Sequence, residues 1–124
     1  MKTFKAGMIE VMADDINQIK PFWGSTYRSA LEEIKNIGEG WRLPNKIEEI
    51  EYLISLSKMG IGGFNDQNKE YKYWTSIPEF GSGSDEYGIP NVVYVVSFCK
   101  KGPILLKEET LPIYKNGIRL VRDI

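Results

Sequence analysis

The stretch GEGWRLPNKIEE, residues 38–49, sets a tryptophan, an arginine, a leucine and a proline in a row directly before a helix start. Gly40 to Leu43 read as a connector, and Pro44 restricts Leu43 to extended backbone. Asn45 suits an N-cap, with Glu48 three residues on, a capping box with Asn in the Ser/Thr position. Ile47, Ile50, Leu53 and Ile54 then recur at helical spacing and predict the buried face of a helix ending near Lys58. Upstream, STYRSALEEIKNIGEG (25–40) predicts another helix, capped by Ser25 or Thr26. Its apolar face comprises Tyr27, Ala30, Leu31, Ile34 and Ile37, with Glu32 and Glu33 toward water and Gly38 as a left-handed stop. Trp41 and Leu43 are expected to fill the space between the two helices.

Outward from this helical centre the chain reads as strands. Residues 6–12 predict a first strand, and Pro21 and Gly24 punctuate the loop after it. MGIGGFND (59–66) is a Gly-rich turn. It neither follows a strand into a helix nor leads to a Lys-Ser/Thr pair, so it does not predict a phosphate cradle. YKYWTSI (71–77) predicts a strand with Tyr71, Tyr73 and Thr75 on one side and Trp74 on the other. PEFGSGSDEYGIPN (78–91) is a long loop rich in Gly, Ser and acids. Loops of this length within a compact domain are usually functional or disordered. VVYVVSF (92–98) is too apolar for a half-exposed position and predicts a central strand. GPILLKEETL (102–111) suggests another strand, and NGIRLVRDI (116–124) a last one after an Asn-Gly turn. Two helices followed by strands only argue for an α+β fold. No internal repeat or linker is visible, so residues 1–124 read as a single domain.

Composition narrows the function. The net charge of −1 lacks the electrostatic footprint of a nucleic-acid binder. No apolar run approaches the roughly 20 residues needed to cross a bilayer, so no membrane insertion is expected. MKTFKAGMIEVMADD does not read as a signal peptide; the expected setting is cytoplasmic unless a leader has been removed. The single cysteine, Cys99, excludes an internal disulfide framework. With no histidine, the commonest general base and metal ligand is missing, and Ser-His-Asp or Cys-His catalysis has no base. Neither a metal nor a cofactor is expected.

Taken together, GWRLPN, IGGF, YWTS, VVYVVSF and IRLVR, in that order from about Glu10 to Asp123, resemble a group of bacterial domains. These carry Trp-Arg-Leu-Pro, Tyr-Trp-Ser/Thr-Ser and Val-Arg-x-Val-Arg signatures. They include the C-terminal domain of collagen-like adhesins and the major paralogous domain of Fibrobacter. The resemblance implies a C-type-lectin-like fold, distantly similar to formylglycine-generating enzymes. In that fold the two chain ends pair in one sheet, two helices flank it, and a long loop region carries a second small sheet and the ligands. It further implies a non-enzymatic, adhesin-like module recognising a glycan or a protein surface. The alternatives are an enzyme of unknown type on the formylglycine-enzyme scaffold, or a scaffold subunit of a larger or phage-associated assembly. Formylglycine chemistry in the related enzymes depends on a pair of copper-holding cysteines, which one cysteine in a predicted core strand cannot supply.

The candidate ligand-binding residues are Tyr73, Phe80, Asp85, Tyr87 and Asn91. Aromatics beside amides and hydroxyls suit protein interfaces and carbohydrate stacking. Trp74 reads as core, while Phe80 and Tyr87 fit core packing and ligand contact equally. Calcium-dependent sugar-binding lectins use Glu-Pro-Asn or Gln-Pro-Asp in the long loop, with a later Trp-Asn-Asp. Here Pro90 and Asn91 match, but Ile89 replaces the acid and no Trp-Asn-Asp follows, so binding is expected to be calcium-independent. A solvated loop is the favoured reading of Asp85 and Glu86. Of the arginines, Arg122 is expected to share a face with Leu120 and to pair with Glu48 or Glu51, while Arg119 is placed on the outer face of the last strand.

Overall fold

The computed structural model describes residues 2–15, 24–65, 71–99 and 103–124. The punctuating Pro21, the end of the 59–66 turn and Gly102 lie outside them. Strands β1 (Thr3–Ala6) and β2 (Ile9–Met12) are followed by helices α1 (Tyr27–Ile37) and α2 (Ile47–Lys58). Four strands complete the chain: β3 (Tyr73–Pro78), β4 (Val92–Ser97), β5 (Ile104–Glu109) and β6 (Val121–Asp123). The fold is α+β, with two antiparallel three-stranded sheets in the orders β1-β2-β6 and β3-β4-β5. The first sheet joins the two ends of the chain, Glu10 lying opposite Arg122.

The expected first strand, 6–12, is instead the second half of a hairpin. Gly7, at φ 59°, turns the chain, and a Cβ there would lie 2.3 Å from the Tyr52 ring. Helix α1 matches the reading at both ends. The Thr26 hydroxyl accepts from the Ser29 N–H, and Gly38 stops the helix at φ 63°. Its apolar face is narrower than the spacing suggested, because Leu31 is exposed. Glu33 is half-buried rather than open to water, and burial pushes its carboxyl up.

Helix α2 departs further. Its N-cap is Lys46, with no side-chain bond. Glu49 rather than Glu48 reaches back, accepting the Asn45 N–H at 2.9 Å. Glu49 is therefore buried while Ile47 is exposed; Ile50 and Leu53 are buried as expected. Arg42 grips Glu49 with two bonds, of 2.9 and 2.6 Å, and Asp123 with a third. Burial pushes the Glu49 carboxyl up, but Arg42 and the Asn45 N–H outweigh it and hold the carboxyl below its usual range.

Two cores result. One gathers Ile9, Val11, Ile50, Leu53, Tyr73, Val96, Phe98 and Val121 beneath α2. The other gathers Tyr27, Ala30, Trp41, Leu43, Trp74, Val93, Val95 and Leu120 beneath α1. Trp41 and Leu43 thus pack under α1 against the second sheet, not between the helices. Tyr73 and Trp74, successive residues on a strand, point to opposite faces and enter different cores. Trp74 also donates its indole N–H to the Ser25 carbonyl at 2.7 Å.

The last segment is not the hairpin strand that Asn116–Gly117 suggested. Asn116 pairs with Ser25 and Gly117 with Tyr73 as isolated bridges, and the strand proper begins only at Val121. Ile118, Arg119, Leu120 and Val121 are all buried, so alternation does not apply. Arg119, expected on the outer face, is 1% exposed. Arg122 is half-buried, and it donates to Glu10 at 2.7 Å and not to Glu48 or Glu51. Cys99 lies just beyond the end of β4 and is half-buried rather than in a core strand.

Candidate functional site

The loop from Glu79 to Asn91 is held by bonds within itself and to β5. Glu79 donates its N–H to the Val92 carbonyl, accepts from the Ser82 hydroxyl at 2.7 Å and pairs with Lys107 at 3.0 Å. Ser84 bridges Pro90 in antiparallel fashion. At the tip, Asp85 Oδ1 accepts the Tyr87 N–H at 2.8 Å and the Ile89 N–H at 3.0 Å, the aspartate-centred turn that short polar side chains favour. Its other oxygen accepts from Arg28 of α1 at 2.5 Å. The Asn91 side-chain amide donates to the Ser82 carbonyl, and the Thr110 hydroxyl to the Pro90 carbonyl at 2.7 Å. Ile89, where a calcium lectin has its acid, packs into the core under α1.

Of the five candidates, the structure brings Phe80, Asp85, Tyr87 and Asn91 together on this one loop. Phe80 is fully exposed and Tyr87 is 72% exposed. The Arg28 guanidinium lies 5.2 Å from the Tyr87 ring centre. Asp85 and Asn91 spend their polar atoms fastening the loop. Tyr73 is elsewhere, 2% exposed in the core beneath α2. Arg28 was not among the sequence candidates, since an arginine on the water face of a helix carries no mark of its partner 57 positions on.

The Ile89 N–H above all, with the Tyr87 N–H and Arg28, holds the Asp85 carboxyl below its usual range against a smaller opposing effect of burial. A carboxylate so lowered contributes its full stabilisation above the ordinary aspartate value of about 4 and loses it as pH falls through the lower folded value. The loop geometry is therefore expected to persist from pH 7 to pH 5. Following the amide resonances of Tyr87 and Ile89 should give a titration midpoint under about 4. A midpoint at or above that value contradicts this account of the turn.

A second polar group lies inside the molecule. Asp15 accepts from Arg119 Nε at 2.9 Å and from the hydroxyls of Tyr73 at 2.9 Å and Tyr71 at 3.3 Å. The same guanidinium donates to the carbonyls of Met12, Gly62 and Gly63 and lies over the Phe64 ring. Burial pushes the Asp15 carboxyl up, against the pull of Arg119 and the hydroxyls. Burial, then the Asp15 charge, pushes the Tyr71 hydroxyl up to about 12, and Tyr73 moves further the same way. Neither phenol ionises near neutral pH, and the cluster ties the turn at Gly62 and Gly63 to Arg119, just before β6.

Among the described residues no group of three or more acidic, cysteine or histidine side chains could hold a metal ion. A cavity of about 160 Å³ lined by Ser57, Gly60, Ile61, Gly63 and Phe64 is smaller than the roughly 300–1,000 Å³ of small-molecule pockets. No helix is long and apolar enough to cross a membrane among the described residues. No protein-family model, curated protein or solved structure matches the chain.

Proposed function

We propose that the chain is a non-enzymatic binding module with a C-type-lectin-like fold, and that the face of the 79–91 loop recognises a protein surface or a glycan. One observation carries this reading. Phe80 and Tyr87, the large aromatics exposed among the described residues, sit on a loop fastened by the side chains of Glu79, Ser82, Asp85 and Asn91. A loop ordered in advance loses little conformational entropy on binding, which favours affinity. Paired chain ends, two helices and a long loop beside a second small sheet support the fold reading. Fully exposed Phe80, with no polar atom on its ring, favours a protein ligand. Tyr87, with Arg28 over one face of its ring and Asp85 bonded to its N–H, favours the glycan, since an exposed ring close to hydrogen-bonding groups suits sugar stacking.

The test runs a glycan array and a cross-linking pull-down in parallel, with the wild type and the Phe80→Ser/Tyr87→Ala double variant. The expected result is a ligand bound by the wild type and lost by the double variant, with an unchanged urea midpoint. Tyr87→Ala alone should weaken binding by about 1 kcal/mol or more, as for an exposed anchor. A ligand that binds the double variant as tightly as the wild type places the site elsewhere. Unfolding of Tyr87→Ala would show that the ring is structural.

A further inference from the structure

We propose that two copies of this chain associate edge to edge through β5, in one antiparallel register centred on Leu105. The argument begins with which backbone groups of β5 are spoken for. Thr110 donates its N–H across to the Asn91 carbonyl at 3.0 Å, and Glu109 lies opposite Val92. In an antiparallel ladder the N–H and C=O of a residue point to one side, and successive residues alternate. Residues 104, 106 and 108 therefore face β4, and the backbone groups of Leu105, Lys107 and Glu109 face away from it.

The side chains along this edge are unusual for one left open. Ile104, Leu105 and Leu106 are consecutive and between 38% and 48% exposed. A long apolar edge strand invites pairing with another strand. The opposite edge of the same sheet is already taken: Trp74 donates to the Gly117 carbonyl, Gly117 to the Lys72 carbonyl, and Ser76 to the Pro44 carbonyl. Pairing through β5 thus gives a closed two-fold assembly with a six-stranded sheet whose outer edges, among the described residues, are those already covered at β3.

The sequence of β5 selects the register. Centred on Leu105, the two Leu105 residues exchange backbone bonds, Ile104 lies opposite Leu106, and the Lys107 N–H meets the Pro103 carbonyl. Pro103, which has no N–H to offer, fits at the end of such a pairing. Apolar side chains then meet apolar ones on both faces: Leu105 continues the Tyr73–Val96 side, and Leu106 the Trp74–Val95 side. Centring on Lys107 would oppose like charges, and centring on Leu106 would set Ile104 against Glu108 and Leu105 against Lys107. The charge of Lys107 is meanwhile met by Glu79 of its own chain. Three part-exposed side chains per copy make an interface of the small, transient class, below the ~1,000 Å² of a stable specific one, so the dimer is a reversible one. In it the two Thr110 residues, and the loops they fasten, lie roughly 33 Å apart along the paired strands.

Sedimentation equilibrium from about 10 to 500 μM, the range expected of so small an interface, tests the association. The wild type should show a monomer–dimer equilibrium, and Leu105→Lys should weaken it at least tenfold with an unchanged thermal midpoint. A second measurement stands even if that variant fails to fold. In a Cys99→Ser background, Leu105→Cys should form an intermolecular disulfide on mild oxidation, because residues paired this way have Cα atoms ~5.5 Å apart. Lys107→Cys, out of register with its own copy, should not. A wild type monomeric throughout, a dimer indifferent to Leu105→Lys, or cross-linking at 107 in preference to 105 overturns the proposal.

Discussion

Alanine in place of Arg119 should cost the fold about 3–5 kcal/mol, the usual penalty for removing one partner of a buried ion pair. The guanidinium is 1% exposed and lies 2.8 Å from Asp15. Its loss leaves a buried carboxylate with, among the described residues, the two phenols as donors, and strands the carbonyls of Met12, Gly62 and Gly63 that it now satisfies. Urea unfolding at neutral pH measures the effect. Replacing both members with apolar residues, Asp15→Leu with Arg119→Met, should cost less than the sum of the two single changes, because no charge remains buried. A single Arg119→Ala change of under about 1 kcal/mol would mean that water reaches Asp15 and the pair is not sealed.

Trp41→Ala should cost a similar amount, about 3–5 kcal/mol, as a large-to-small change in a packed core. Trp41 is buried with Tyr27, Ala30, Leu43 and Leu120, and the Arg122 guanidinium lies 4.3 Å from its ring centre. Two losses therefore coincide: the cavity under α1, and the ring face that helps orient Arg122 toward Glu10. Trp41→Phe keeps an aromatic face and most of the volume, so it should retain the larger part of the stability. Near-wild-type urea behaviour of Trp41→Ala would show that the space collapses or that the ring lies at the surface.

What the sequence showed follows from how local each feature is. Helix α1 was legible because its cap, stop and apolar spacing all lie within a dozen residues of one another. The central place of β4 was legible because an unbroken apolar run must be covered on both faces. Three misreadings share a cause. Alternation along 118–122 presumed one open face, yet Ile118 to Val121 are enclosed on both sides, which hid Arg119. The Asn-Gly pair looked like a turn, but Gly117 is required because a Cβ would sit 2.7 Å from the Tyr71 ring, a contact made 46 positions away. Arginine partners depend on register between distant strands, so Glu10 could not be chosen for Arg122 from spacing alone. At the candidate site, the Gly- and Ser-rich surroundings of Phe80 and Tyr87 left core packing and exposure open, because no periodicity runs through a loop, and strand periodicity could not say which face of β3 was already covered.

The pairing of β2 with β6 also governs when this chain can fold. Glu10 meets Arg122 across 112 positions, and Asp15 meets Arg119 across 104. Contacts so far apart in sequence close large loops before they return any stabilisation, and chains rich in them fold in milliseconds to seconds rather than microseconds. During synthesis the cost is sharper. Gly117, which covers the edge of β3, and Val121, which completes the first sheet, are among the last of the described residues to leave the ribosome. Until they emerge, α1 and α2 can form, but the β3 edge stays open and neither core can seal, so both apolar faces stay uncovered up to that point.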